Sequence, residues 1–159
     1  MKRAKLDAID LHILRELQAD GRITNVDLSE RVGISAPPCL RRVRALEEAG
    51  FIQGYHADLN GKALGFEVTV FAMVGLHSQA EADLQAFEAL VGTWPLVREC
   101  HMLNGDIDFI LKCVAPDLST FQSFLTGLLT PAPNVASVRT SLTIRQSKHQ
   151  PGVPLEALG

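Results

Sequence analysis

Three arginines lie within four positions of the chain, at Arg41, Arg42 and Arg44. A guanidinium group forms paired hydrogen bonds with guanine edges and with phosphates, so an arginine cluster on one face could bind DNA. The whole chain nevertheless has a formal net charge of -3, which argues against general coating of nucleic acid. DNA contact depends on where the charges lie rather than on their sum. The surrounding elements must therefore decide between a DNA-contacting surface and an ordinary solvated helix face.

A second candidate site is the sequence Asn-Gly-Asp-Ile-Asp at residues 104–108. Gly105 permits close approach of the backbone, and neighbouring N–H groups in a turn can hold a carboxylate. Asp106 or Asp108 could hold an ammonium group. A free amino acid carries both charges and would fit such a site. The alternative is a hairpin turn with solvated acids, and the residues alone leave both interpretations open.

An enzyme is the first competing interpretation, because Cys100 and His101 are adjacent. Adjacent residues of a strand point to opposite faces, so these two side chains cannot act as nucleophile and base. No paired carboxylates, phosphate-binding loop or metal-ligand spacing stands out, and we expect neither catalysis nor a cofactor or metal. A redox switch at Cys100 or Cys113 is a second competitor, although both fit the pattern of packed small hydrophobic residues.

The cellular compartment is indicated by the cysteines and the apolar pattern. The three cysteines are an odd number without a C-x-x-C pair, which disfavours a disulfide framework or a zinc site and suits a reducing cytoplasm. No apolar run approaches the ~18 residues of a membrane span, and the charged N-terminus does not resemble a signal peptide. We therefore expect a cytoplasmic protein without membrane contact.

Three short helices are predicted in the first fifty residues, each beginning at a capping residue. The caps are, in order, Asp7, Thr24 and Ser35. Asp27 is placed for a capping box in the second helix, Gly21 is expected to end the first helix in the left-handed conformation, and Gly33 is expected to end the second. Pro37 and Pro38 fall in the first turn of the third helix, where backbone N–H groups have no intrahelical partner.

The connection between the second and third helices predicts a helix-turn-helix over about residues 25–44. Only Gly33, Ile34 and Ser35 separate the two helices, so they must cross steeply and pack closely. The small Ser29 fits such a crossing. The predicted core of the motif comprises Leu28, Val32, Ile34, Cys39 and Val43. A generic three-helix cluster is the alternative.

The helical period orients the arginines of the third helix. At about 100° per residue, the buried stripe comprises Cys39, Val43 and Leu46. Arg41 points away from this stripe, with Pro37 and Arg44 beside it, so these residues are free to meet DNA. Ser35 at the helix N-terminus is available to a phosphate. Arg42 lies at the margin of the stripe and either contacts phosphate or pairs with an acid.

The remaining sequence predicts a wing and a second domain. After a turn at Gly50, residues 51–60 predict a β-ribbon behind the third helix. The second half then has the order β-α-β-β-α-β, a ferredoxin-like antiparallel sheet with two helices on one face. Ser78 and Glu81 predict a capping box for the first of these helices, and Asn104-Gly105 predicts a tight turn between the middle strands. The fold class is therefore α+β.

Several predicted strands are apolar on both sides, which a half-covered sheet does not require. Phe71 and Met73 alternate with Val70 and Ala72, and Ile110 lies among apolar neighbours. A monomer would expose a large apolar patch. We therefore expect another copy of the chain to cover the second face of the sheet.

Two stretches carry a family resemblance: LDAIDLHILRELQADGRITNVDLSERVGIS followed by PPCLRRVRALEEAGFIQGYHADLN, and ECHMLNGDIDFILK. They resemble the leucine-responsive regulatory protein (Lrp/AsnC, or feast/famine) family of transcription regulators. The resemblance spans about residues 6 to 146. It implies a winged helix-turn-helix DNA-binding domain at 6–67 and an α/β sandwich for ligand sensing and oligomerisation at 68–146. Residues 147–159 depart from any strong pattern and are expected to form a C-terminal tail, either mobile or a docking segment.

The resemblance also implies partners and an effector site. Similar proteins form dimers that assemble further, here a tetramer of dimers (an octamer). Their Gly-Asp-x-Asp loop lines an effector pocket between dimers. In this chain it implies a site at Asn104, Gly105, Asp106 and Asp108, with Thr140 nearby on the last strand.

The expected function is sequence-specific regulation of transcription on double-stranded DNA, with an amino-acid effector that changes oligomeric state or DNA affinity. The alternative is an architectural protein that organises DNA with little sequence preference, because oligomers that wrap DNA use the same DNA-binding domains.

Overall fold

The computed structural model describes residues 5–158 and divides them into two compact units. The first unit contains the residues up to Asp58 together with the segment from Lys148 onward, and the second unit is Leu59–Ser147. The C-terminal residues, which the sequence predicts as a separate tail, are thus grouped with the N-terminal helices. No helix among the described residues is long and apolar enough to span a membrane.

The first unit is built on three helices: α1 (Ala8–Ala19), α2 (Asn25–Val32) and α3 (Ala36–Glu48). Asp7 caps α1 in a capping box with Asp10. Thr24 caps α2 by accepting the Asp27 N–H at 3.1 Å, and its hydroxyl donates to the Asp27 carboxylate at 2.6 Å. These side chains satisfy N–H groups that have no partner within the helix, which fixes where the helices begin.

A left-handed glycine produces the tight turn between α2 and α3. Gly33 has φ 74°, and the Ile34 N–H donates to the Ser29 carbonyl at 3.0 Å, which is the hydrogen-bond pattern of a Schellman end. Ser29 is 4 % exposed at the helix crossing. The buried core of the unit comprises Ile13, Leu28, Val32, Cys39 and Leu46, with Ile34 and Val43 partly buried against it. The predicted helix-turn-helix is confirmed.

Two local predictions for the first unit are wrong, and a third, the Ser35 cap, is confirmed in position only. Gly21 has no positive φ, and α1 instead ends at Asp20, whose N–H donates to the Glu16 carbonyl. Ser35 occupies the N-cap position of α3, but its side chain makes no capping hydrogen bond. The β-ribbon is not formed within the chain, since no strand is assigned in residues 51–60. A ribbon needs two hydrogen-bonded strands, and residues 51–60 form no such pairing.

The second unit is a four-stranded antiparallel sheet, and two helices lie between its strands in the sequence. The elements are β1 (Val68–Leu76), α4 (Glu81–Val91), β2 (Val97–Met102), β3 (Phe109–Ala115), α5 (Leu118–Phe124) and β4 (Val135–Leu142), and a turn of π-helix at Leu125–Leu129 extends α5. The strand order is β2-β3-β1-β4. The predicted βαββαβ order and the α+β class are confirmed.

The sheet has one buried face and one open face. Its buried face, packed with the helices, includes Val70, Ala72, Val74, Phe109, Leu111 and Cys113. The open face includes Phe71, which is 36 % exposed. The predicted alternation along β1 is confirmed, since its residues from Val70 to Leu76 alternate between buried and more exposed positions.

One predicted helix cap and one predicted turn of the second unit differ in the structure. Ala80, not Ser78, is the N-cap of α4, and the Ser78 hydroxyl instead donates to the Asp83 carboxylate. The loop between β2 and β3 is wider than a two-residue turn, because Leu103 N–H donates to the Asp108 carbonyl at 2.8 Å across the intervening residues. Asn-Gly is therefore inside a longer loop.

Candidate nucleic-acid interface and effector site

The α3 surface that faces away from the core contains two arginines without partners. Arg41 and Arg44 are exposed, and neither makes a hydrogen bond or ion pair with any residue between 5 and 158. Pro37, one turn before Arg41, is also exposed. Guanidinium groups that are free of internal partners can approach phosphates or base edges without first breaking an ion pair.

Arg42 is held by α1. One of its terminal nitrogens lies 2.7 Å from Asp7 Oδ2 and 2.7 Å from Asp10 Oδ1. The backbone N–H of Asp10 and then the Arg42 guanidinium lower the pKa of Asp7, so this carboxylate stays charged. The hydrogen bonds that Arg42 donates to the two carboxylates raise its pKa. The sequence left open whether Arg42 contacts phosphate or pairs with an acid, and in the structure it pairs with two acids.

Ser35 and Leu40 complete the exposed surface of α3. The Ser35 side chain is exposed and makes no capping hydrogen bond within α3, so the hydroxyl lies at a helix N-terminus where anions are favoured. Sequence reasoning missed Leu40, which is 38 % exposed and lies one helical turn before Arg44. The sequence could have indicated Leu40, because it is an apolar residue outside the buried stripe of α3. An apolar side chain in this position can contact a thymine methyl group.

One hydrogen bond fixes the start of α3 against the start of α2. The Asn25 side-chain amide donates to the Ala36 carbonyl at 2.9 Å. Together with the Gly33 turn, this bond restricts the direction in which the N-terminal turn of α3 projects. The exposed arginines are therefore carried on a helix that is held at both its N-terminal turn and, through Arg42, its middle.

The loop at 104–108 is exposed at its tip. Asn104, Gly105 and Asp106 are all exposed, and Gly105 has φ 152°, within the region that disfavours side chains. A Cβ built at Gly105 would meet no atom within 4 Å. The tip therefore offers backbone groups and one carboxylate to a space that the same chain leaves open.

Asp108 has a structural role at the base of this loop. Its Oδ2 accepts the Leu76 N–H at 2.6 Å and lies 3.5 Å from the Gln79 amide nitrogen. Its own N–H donates to the Val74 carbonyl at 3.0 Å. The carboxylate thus ties the loop to the end of β1, and one of its two oxygens is already used within the chain.

Thr140 does not lie beside the loop in the same chain. It pairs with Ala72 on one side of β1, whereas the loop enters β3 at Phe109, which pairs with Val74 on the other side. β1 lies between β3 and β4, so two strand spacings, roughly 10 Å, separate Thr140 from the strand that carries the loop. A ligand that contacts both must therefore either span this distance or receive Thr140 from a second copy.

The cysteines are poorly suited to reaction. Burial raises the pKa of the Cys113 thiol to about 11 and also raises the pKa of Cys39 and Cys100. The thiolate, which is the reactive form, is therefore scarce at neutral pH. Among the described residues no group of three or more His, Cys, Asp and Glu side chains could hold a metal ion.

Comparison with known proteins assigns both units. A family profile described as "Winged helix-turn-helix DNA-binding" matches residues 6–53, and one described as "Lrp/AsnC ligand binding domain" matches residues 69–153. The leucine-responsive regulatory protein of Rhizobium meliloti (strain 1021) is 62 % identical over 146 residues, which are 92 % of this chain and 94 % of that protein. The leucine-responsive regulatory protein of Escherichia coli K12 is 44 % identical over 90 % of this chain and 87 % of that protein.

The chain belongs to the Lrp/AsnC family.

Solved structures agree with this assignment. A transcriptional regulator of Neisseria meningitidis in complex with L-methionine has a TM-score of 0.92 and 36 % identity, with 97 % of this chain and 99 % of that chain covered. An AsnC family regulator from Agrobacterium tumefaciens has a TM-score of 0.90 and 31 % identity, with 96 % and 99 % covered. This Lrp/AsnC protein is therefore a DNA-binding transcriptional regulator with an effector-binding domain, and not an enzyme.

Proposed function

We propose that this Lrp/AsnC regulator recognises specific DNA sequences through the exposed surface of α3. The observation that carries the proposal is the contrast among the three arginines. Arg41 and Arg44 are exposed without internal partners, whereas Arg42 is paired with two carboxylates. Arg41 and Arg44 supply the base or phosphate contacts, Ser35 and Pro37 lie against the DNA backbone, and Arg42 fixes the helix. DNA binding is consistent with the cytoplasmic location that we propose.

The second part of the proposal is that an amino acid binds at the 104–106 tip. Exposed N–H groups around Gly105 would hold the carboxylate of the ligand, and the exposed Asp106 would hold its ammonium group. Asp108 would contribute its remaining oxygen, since the other accepts the Leu76 N–H. The L-methionine complex of the Neisseria meningitidis relative supports this ligand class. No cofactor is required.

The third part is self-association. Phe71 is 36 % exposed on the open face of the sheet, and Met73 and Ile110, which pair with each other on the same face, are only partly covered. Exposed apolar side chains of this size favour contact with a second copy. We propose a dimer formed through this sheet face, with further assembly into a tetramer of dimers. In such an assembly a neighbouring copy could bring its own Thr140 to an effector at the loop.

The DNA proposal is tested by comparing bound genomic fragments with random duplex at equal salt. A DNA fragment enriched from the genome by the purified protein should bind at least about 10³-fold more tightly than random duplex. Arg41→Ala and Arg44→Ala should each weaken binding while the protein stays folded, and a variant that has lost a base contact should also lose part of that preference. Equal affinity for both DNA classes would favour the architectural alternative, and unchanged binding by both variants would remove α3 as the contact surface.

The effector proposal is tested by thermal shift with the twenty amino acids, followed by isothermal titration of those that respond. A ligand that binds only the folded state raises the unfolding temperature. Asp106→Asn and Gly105→Val should weaken binding, the latter because a side chain would fill the open space above the loop. Asp117→Asn is a control, since Asp117 caps α5 away from this loop. Wild-type affinity in both loop variants would place the effector elsewhere.

A further inference from the structure

The C-terminal segment, residues 148–158, makes directed hydrogen bonds with α1. The Gln18 amide nitrogen donates to the Val153 carbonyl at 2.9 Å, and the Gln18 amide oxygen accepts the Val153 N–H at 2.9 Å. Arg15 donates to the Leu155 carbonyl at 3.4 Å. One glutamine side chain therefore satisfies both backbone groups of one residue, in the way that a neighbouring β-strand would.

The contact requires glycine at position 152. Gly152 has φ 95°, which side chains rarely adopt. A Cβ added there would also collide with the side-chain amide of Gln18. The backbone of the segment can therefore approach α1 this closely only because residue 152 has no side chain.

Apolar contact accompanies the hydrogen bonds. Leu155 is 6 % exposed and lines a cavity of about 650 Å³ with residues of α1 and the segment after α3, among them Leu14, Leu17, Ile52 and Tyr55. Val153 and Leu158, by contrast, are 60 % and 62 % exposed. A single buried side chain and a few hydrogen bonds must offset the lost freedom of the whole segment, so the docked and released states are close in free energy.

The first unit thus consists of two separate segments of the chain. The chain leaves it after Asp58 and returns to it at Lys148, and His149 lies 3.1 Å from the Asp58 carboxylate. Release of the segment would leave the three helices joined to the rest of the chain only after Asp58. Docking would add stability to α1, on which the position of α3 depends through Arg42.

We propose that the outer surface of α1, centred on Arg15 and Gln18, is a binding site for the C-terminal segment of the same chain, which docks reversibly and stabilises the DNA-binding unit. The recognised feature is a glycine followed by an extended backbone and a leucine, here Gly152 to Leu155. This inference concerns a surface remote in sequence from the proposed DNA and effector residues, and it does not depend on either proposal.

Hydrogen exchange on the full-length protein tests the docked state. Mass spectrometry should show that the peptide containing Val153 exchanges about tenfold more slowly than a free chain. Gln18→Glu keeps the size of the side chain but opposes a carboxylate to the Val153 carbonyl, and it should abolish the protection, as should Gly152→Val. Glu156→Gln, at an exposed position of the same segment, should leave it unchanged.

A labelled peptide with the sequence of residues 148–158 separates docking from misfolding. A chain truncated after Ser147 should bind the peptide, and binding should restore its lowered unfolding temperature, while the full-length chain should bind at least tenfold more weakly because its own segment occupies the site. Absence of protection in the wild type, or equal peptide binding by both chains, would overturn the proposal. Protection that disappears on dilution would also overturn it, because the segment would then come from a second copy.

Discussion

Replacing Arg42 by alanine should affect DNA binding differently from replacing its two neighbours, although all three are arginines of one helix. The Arg42 guanidinium already lies 2.7 Å from a carboxylate oxygen of both Asp7 and Asp10. It therefore has no free charge with which to release counterions from a phosphate. Arg41 and Arg44 have no internal partner among residues 5–158. We expect Arg42→Ala to lower DNA affinity only through a less firmly held α3.

The expected magnitude follows from counterion release. Each phosphate contact contributes a slope of about -0.9 in log affinity against log salt, so a fourfold rise in salt weakens binding by about 3.5-fold for each contact. Arg41→Ala or Arg44→Ala should reduce the salt effect by about that factor if the lost contact is to phosphate. If the lost contact is to a base edge, affinity should fall by about 1–3 kcal/mol on the specific site. Arg42→Ala should leave the salt slope unchanged.

The assay is fluorescence anisotropy on one labelled DNA fragment at several salt concentrations between 50 and 200 mM, a range that spans the fourfold change. Arg42→Lys is the matched control, because a lysine retains the charge near Asp7 and Asp10 but has a shorter side chain without the planar guanidinium fork. It should recover part of the affinity and of the thermal stability. A salt slope that flattens in Arg42→Ala by about one phosphate contact would refute the assignment of Arg42 to an internal role.

Three further predictions concern stability and assembly. The pKa values of Asp7 and Asp117 are lowered from 3.8, chiefly by backbone N–H groups of the helices they cap. Their stabilisation is therefore present above about pH 4, and the unfolding temperature should fall as the pH is lowered below that value. Thr24→Ala should cost about 1 kcal/mol in chemical denaturation because Thr24 caps α2, whereas Ser35→Ala should cost much less because Ser35 makes no capping bond, and equal costs would contradict the cap assignment. Phe71→Glu should shift the protein towards monomer in light scattering, and an unchanged mass would place the interface away from this sheet face.

Sequence patterns predicted the secondary structure because their signals are local. Asp7 and Thr24 cap the helices that their spacing indicated, and Gly33 adopts the left-handed conformation that the short turn demands. The alternating residues of β1 gave the buried face of the sheet correctly. Such features depend on residues a few positions apart, where backbone geometry leaves few alternatives.

Predictions failed where the outcome depended on distant residues or on competing local partners. Gly21 was expected to end α1 in the left-handed conformation, yet Asp20 accepts the Arg22 N–H through its side chain and the helix ends without it. The role of Asp108 depends on the Leu76 N–H, which lies on another strand. No spacing rule within Asn-Gly-Asp-Ile-Asp distinguishes an acid that is exposed from one that fastens the loop to β1.

The arginines show the same division within a single helix. Helical periodicity was enough to separate Arg41 and Arg44 from the buried stripe, since it requires only the angle between residues. It placed Arg42 at the margin of the stripe but could not predict its partners, because Asp7 and Asp10 are more than thirty positions earlier in the sequence. Those acids also form the capping box of α1, so the start of α1 and the orientation of α3 share the same carboxylates. A substitution at Asp10 should therefore disturb both the first turn of α1 and DNA binding, even though Asp10 is acidic and would be repelled by DNA if it lay at the contact surface.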